Sequence, residues 1–131
     1  MSGIQKTLFD SEDIKSSSLR ITELFDEEAN AVVLCDDVLS ACGKLKDETF
    51  QLIVSSPPYN IGKSYEKRTE LEQYLDWQSQ VAAELVRLLS PRGSLVWQVG
   101  NFIKDGEVFP LDMYFYPIYK KLGLQLRNRV V

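Results

Sequence analysis

Phe50-Gln51-Leu52-Ile53-Val54-Ser55-Ser56-Pro57-Pro58-Tyr59-Asn60 opens as an apolar, β-branched run and closes on two consecutive prolines. Residues 50–54 have the length and composition of a buried strand. Neither proline has an N–H to donate, so no ladder continues past Ser56. Residues 59–68 then read as loop. Thr69-Glu70-Leu71-Glu72 has the form of a capping box, in which Thr69 and Glu72 satisfy each other's free backbone donors. Behind it Leu71, Tyr74, Leu75, Ala82, Leu85, Leu88 and Leu89 recur at helical spacing. That predicted helix stops at a turn, Ser90-Pro91-Arg92-Gly93, and residues 94–99 form the next apolar strand.

The same alternation extends outward in both directions. Upstream, Ala31-Val32-Val33-Leu34-Cys35 reads as a buried strand closed by Asp36-Asp37, and residues 38–45 as a short helix with Gly43 near its end. Residues 19–28 form a short amphipathic lead-in. Downstream, Pro110 suits the first position of a helix that carries Leu111, Tyr114, Phe115, Ile118 and Leu122 on one face, with Gly123 after it. Pro117 should kink that helix or delay its start. Residues 124–131 alternate as a last strand. Strand and helix in repeated succession define an α/β domain with a mostly parallel sheet. Residues 1–18, ending in Ser16-Ser17-Ser18, read as a flexible tail.

Bulk properties exclude several classes. The chain has 131 residues, one domain's worth, with 44% apolar and 26% charged residues. It shows no apolar run of membrane-spanning length and no secretory signal, which points to a cytoplasmic protein that does not enter membranes. Its two cysteines, Cys35 and Cys42, sit among apolar neighbours and read as buried, reduced thiols. With no histidine in the chain there is no zinc-site pattern. The 15 basic residues are outnumbered by 19 acidic ones, a formal charge of −4, which argues against a self-sufficient nucleic-acid binder.

In an open parallel sheet, ligands bind beyond the carboxyl ends of the strands. There this chain places a hydroxyl at Ser56, a backbone fixed by Pro57 and Pro58, and the ring of Tyr59. A rigid turn holds its carbonyls in set directions. Ser56 and the Pro57 carbonyl suit a substrate amino group that has hydrogens to give, and Tyr59 suits a planar base. Taken alone, Pro-Pro-Tyr is often a simple loop or a proline-rich ligand. Its place after a buried strand, with Asp37 and a capped helix in register, favours the chemical reading.

Ser56-Pro57-Pro58-Tyr59 after an apolar strand resembles the catalytic motif of DNA amino-methyltransferases, whose members carry Asp, Asn or Ser before Pro-Pro-aromatic. The resemblance runs from about Asn30 to Val131 and takes in Cys35-Asp36-Asp37-Val38-Leu39, Asn60-Ile61-Gly62-Lys63-Ser64-Tyr65 and the strand after Pro91-Arg92-Gly93. The family usually has Gly before the acidic residue, where this chain has Asp36. The resemblance implies a Rossmann-like fold that uses S-adenosylmethionine and acts on double-stranded DNA. It casts Ser56, Pro57, Pro58 and Tyr59 as the catalytic turn, with Asp37 and Ser56 toward the cofactor. For Asp37 the plainer alternative is a helix cap. An exocyclic amine is a poor nucleophile because its lone pair delocalises into the ring. Acceptors at Ser56 and Pro57 would favour the pyramidal nitrogen at the transition state. The base must leave the duplex, and Tyr59 would supply its stacking surface. Lys63 and Lys67 could meet phosphates, though exposed lysines are usually only solvated. Trp77, Trp97 and Tyr114-Phe115-Tyr116 read as core.

The chain's seven glycines include no Gly-x-Gly pair, so the glycine-rich cofactor turn of this fold is missing. Circularly permuted members place the catalytic motif first, then target recognition, then the glycine motif. That order implies an N-terminal piece, with residues 19–131 a partial catalytic domain that lacks the cofactor turn and the recognition region. Such a piece should bind cofactor poorly and should not methylate DNA by itself. Its strand at residues 31–35 should be displaced, re-paired against residues 50–54, or completed by self-association. In the family, Ser before Pro-Pro goes more often with N4 of cytosine, and Asp with N6 of adenine. Protein-glutamine and RNA methyltransferases usually carry Asn-Pro-Pro-Tyr. A reading from another class is a non-catalytic binding module that kept the motif.

Overall fold

The computed structural model describes residues 20–62, 64 and 68–130. The expected tail at residues 1–18, and Lys63 and Lys67, lie outside the described residues. The chain divides into two compact units, Met1–Asp36 and Asp37–Val131. Among the described residues no helix is long and apolar enough to cross a membrane.

In the first unit, β1 (Ile21–Thr22) pairs in parallel with β2 (Ala31–Val32). The loop between them is closed by polar contacts. The Asn30 side chain accepts from the Arg20 N–H at 2.8 Å, and the Arg20 guanidinium meets Asp26 at 2.6 Å. The sequence predicts a buried strand over residues 31–35. Only two of those residues join a ladder, while Val33 and Leu34 are exposed. A run that is apolar on both faces needs a neighbour on each side and a cover on each face. β2 has one short neighbour, so the strand stays short. Cys35, expected to be buried, is exposed for the same reason, whereas Cys42 is buried as expected.

The second unit is built on a β–α–β crossover. Asp37 caps α1 (Val38–Gly43), and β3 (Phe50–Ser55) leads through a loop to α2 (Leu71–Leu88), which returns the chain to β4 (Leu89–Trp97). β3 and β4 pair in parallel. The register jumps from Phe50 opposite Leu89 to Leu52 opposite Ser94, so the predicted turn at Ser90-Pro91-Arg92-Gly93 loops out opposite Gln51. A Cβ on Gly93 would lie 2.7 Å from the Leu89 side chain and 3.0 Å from the Ser90 carbonyl, so only glycine allows the loop to fold back.

Two features depart from the sequence expectation. Asn101 to Pro110 is a hairpin, β5 (Asn101–Lys104) against antiparallel β6 (Glu107–Pro110). Its turn residues Asp105 and Gly106 have φ of 52° and 82°, the left-handed pair of a two-residue hairpin turn. Residues 124–130 form no strand. Alternation can choose a face, but a strand also needs a neighbour for its N–H and C=O groups, and this segment meets none among the described residues. α3 (Leu111–Lys121) starts after Pro110, runs through Pro117, and ends with Gly123 at φ 93°.

Two apolar clusters follow. Cys42, Val81, Leu85 and Leu88 pack with Phe50, Ile53 and Leu95 between the helices and one face of the β3–β4 sheet. Tyr74, Phe102, Leu111 and Phe115 pack between α2, the hairpin and α3, with Tyr59 at the margin. Trp97 borders both. The sheet's other face is apolar and open. Leu52, Val54 and Val96 are 58%, 66% and 51% exposed.

Candidate active site

The parallel pair is tied together up to the edge of the proline turn, where the Gln98 N–H donates to the Ser55 carbonyl at 2.9 Å. Ser56 follows, exposed, its Oγ 2.8 Å from the hydroxyl of Tyr59. If Ser56 is the donor in that pair, its oxygen keeps both lone pairs for another hydrogen. The Pro57 carbonyl meets no donor among the described residues, whereas the Pro58 carbonyl accepts from the Tyr74 hydroxyl at 2.6 Å.

Tyr59 is half-buried, and its ring lies against the backbone at Gly100. A Cβ there would stand 3.0 Å from Tyr59 Cδ2 and 3.2 Å from Cε2. The ring thus has one side set by the end of β4 and its neighbour. Asn60 is 2% exposed and sits at φ 59°, a conformation that Asn tolerates better than most residues. Its carboxamide brackets Thr69, accepting from the Thr69 N–H and donating to the Thr69 carbonyl, both at 2.7 Å. The two ends of the intervening loop are thereby pinned together.

That bracket explains why the expected capping box is absent. Thr69 spends its N–H and C=O on Asn60, the helix begins one residue later, and its N-cap is Glu70 with no side-chain cap bond. The Glu70 carboxylate meets Lys104 at 2.7 Å instead, and this bond holds its pKa below the ordinary glutamate value. Beside it lies a cleft of about 500 Å³ lined by Arg68, Glu70, Phe102, Lys104 and Asp105. The Arg68 guanidinium lies 5.0 Å from the centre of the Phe102 ring and donates to the Ile103 carbonyl. Two cations and two carboxylates leave this cleft without the single-signed field that would draw in an anion.

Of the residues singled out from sequence, Ser56, Pro57, Pro58 and Tyr59 share one turn at the carboxyl end of β3. Asp37 is a helix cap. Its Oδ1 accepts from the N–H groups of Leu39 at 3.0 Å and Ser40 at 3.2 Å. As an exposed carboxylate it is also chemically suited to a hydroxyl-bearing ligand. Sequence reasoning missed Tyr74, placed only on the apolar face of a helix, and the roles of Asn60 and Gly100. The usable signal for Asn60 was a lone amide directly after the proline turn and two residues before Gly62.

A parallel β–α–β unit with a rigid, acceptor-rich turn at the strand's carboxyl end and an aromatic ring beside it defines an α/β group-transfer domain. Residues 50–131 match the DNA methylase family of N6- and N4-methyltransferases. The chain belongs to that family. It is 37% identical over 123 residues to the type II methyltransferase M.BglII of Bacillus subtilis, covering 93% of this chain and 33% of that protein. It is also 35% identical over 74 residues to the DNA adenine methyltransferase YhdJ of Escherichia coli, covering 54% and 25% respectively. Among solved structures it resembles TTHA0409 of Thermus thermophilus, described as a DNA modification methylase. The match to its complex with S-adenosyl-L-methionine has a TM-score of 0.55 at 31% identity, over 66% of this chain and 37% of that one. The chain therefore spans about a third of the length of M.BglII.

Proposed function

We propose that the protein transfers a methyl group from S-adenosylmethionine to an exocyclic amino group of a DNA base, as part of DNA modification. The observation that carries this reading is the turn at residues 56–59. It holds an exposed hydroxyl, a carbonyl with no donor among the described residues, and a ring set against Gly100, within a chain that belongs to the DNA methylase family. When bound, the cofactor supplies an electrophilic methyl group on a sulfonium.

The chain's own residues do the rest. Ser56 Oγ and the Pro57 carbonyl accept the amino hydrogens and draw the nitrogen toward a pyramidal, nucleophilic form, an effect strongest at the transition state. Tyr59 stacks on the flipped base and aligns it for in-line attack. Asp37 is proposed to accept from a cofactor hydroxyl, alongside its capping duty, and Ser56 to border the same pocket. Ser56 in place of Asp favours N4 of cytosine. The name of the Escherichia coli relative favours the second reading, N6 of adenine.

The test is transfer of tritiated methyl groups to unmethylated DNA by the full-length protein, followed by mass spectrometry of the nucleosides. N4-methylcytosine is the expected product. N6-methyladenine would replace the cytosine assignment, and no transfer would leave a non-catalytic binding module. Tyr59→Ala should reduce turnover more than DNA binding, because phosphate contacts dominate affinity. Equal losses would make the ring merely structural. The chain by itself, without a glycine-rich turn, is expected to bind the cofactor weakly. Micromolar binding by calorimetry would contradict that.

A further inference from the structure

We infer that Tyr74 is a positioning residue for the catalytic turn: its hydroxyl, by holding the Pro58 carbonyl, fixes the last free torsion between Ser56 and Tyr59. This rests on the function proposed above. The torsions of the turn can be counted. The rings of Pro57 and Pro58 set φ at both residues. Ser56 and Pro57 each precede a proline, which confines their ψ to the extended region. The torsion that remains soft is ψ of Pro58, and this angle decides where the Tyr59 ring goes relative to Ser56.

Rotation about that bond swings the Pro58 carbonyl. The Tyr74 hydroxyl holds that carbonyl at 2.6 Å, and Tyr74 itself has little freedom to follow it. Its side chain is 6% exposed, its ring meets Phe115 edge-on with centroids 6.3 Å apart, and its N–H closes the first turn of α2 on the Glu70 carbonyl at 3.0 Å. The hydrogen bond thus refers the turn to an 18-residue helix. With Tyr59 leaning on Gly100 from the other side, the ring is placed before any base arrives.

Tyr74→Phe separates positioning from folding. It removes the hydroxyl and keeps the ring in its place against Phe115. Pro58 is exposed, so its carbonyl turns to water at little cost to stability, but its direction is no longer set. In the full-length protein, kcat for methyl transfer should fall about tenfold, while KM for cofactor and for DNA stays within roughly twofold. The melting temperature should stay close to that of the parent.

Ser56→Ala and Tyr59→Ala are measured alongside. Loss of kcat in all three variants, with Tyr74→Phe melting normally, supports the inference. If those two lose activity and Tyr74→Phe does not, Tyr74 is only a core residue and the proposed function stands. A kcat loss in Tyr74→Phe matched by a fall in melting also overturns the positioning role. Parental activity in Ser56→Ala and Tyr59→Ala, or no transfer by the parent, overturns both readings.

Discussion

Tyr59 is held by contacts of three kinds: a hydroxyl bond to Ser56, a fixed backbone at Pro58, and the bare backbone of Gly100 against its ring. The third lends itself to a direct test. A methyl group at residue 100 would stand 3.0 Å from Tyr59 Cδ2, closer than ordinary contact, so the ring must move. Gly100→Ala should therefore cut methyl transfer by about tenfold or more with little change in DNA affinity. A variant that transfers methyl groups at the parental rate would show that the ring's seat does not matter. Gln78 poses a different residue-level problem. Its side chain is fully buried on α2, and neither Nε2 nor Oε1 has a hydrogen-bond partner. Burying an unpaired amide costs roughly 1–3 kcal/mol, which an apolar side chain of similar volume does not incur. Gln78→Leu is expected to raise unfolding stability by about 1 kcal/mol in urea titrations. A clear loss of stability would mean that the amide is satisfied in solution.

At the scale of elements, the sequence carried most where local chemistry decides and least where a distant residue competes. α1, α2 and α3 were legible from apolar spacing, the Asp37 cap, Pro110 and Gly123. The hairpin was legible too, through Asp105-Gly106 between Phe102-Ile103-Lys104 and Glu107-Val108-Phe109, but the two short strands were read as linker. The capping box failed because Asn60, nine residues upstream, takes both backbone groups of Thr69. Nothing in the local pattern announces that. Arg87 is a second long-range device. From the last turn of α2 it bonds Glu84 at 2.8 Å, Asp47 at 2.6 Å, and the carbonyls of Cys42 and Leu45, tying down the segment between α1 and β3. Its hydrogen bonds hold the Glu84 carboxyl below the ordinary value of 4.5. A depressed carboxylate pKa stabilises the fold above that value, and the contribution is lost as pH falls through the lower, folded-state pKa. The urea midpoint should hold steady from neutral pH to about 5 and decline below 4.5, with Glu70 adding to the same slope through Lys104. Glu84→Gln should flatten part of that decline. An unchanged profile would mean that solvent screens the pair to insignificance.

At the scale of the whole molecule, the α/β class and the parallel pairing of β3 with β4 were readable, and the extent of the sheet was not. Residues 31–35 and 124–130 both have strand-like sequences, yet β2 keeps two ladder residues and the latter segment none. Residue pattern fixes which face a strand would bury, but ladder formation needs a neighbour, and the pattern of one segment does not contain it. Of the outcomes expected for residues 31–35, re-pairing against β3 does not occur: β2 pairs with β1, and β3 with β4. Self-association is what remains to be measured. The open face of the β3–β4 sheet presents Leu52, Val54 and Val96 side by side, and a two-stranded sheet has unpaired backbone along its outer edges. The chain produced alone should sediment as a concentration-dependent mixture that includes dimers or larger species. Val54 is 66% exposed, so Val54→Lys should leave the fold intact by circular dichroism and shift the mixture toward monomer by placing a charge on the sticky face. A compact monomer at every concentration would remove the case for self-association. Oligomers unaffected by Val54→Lys would move the contact from the sheet face to its edges.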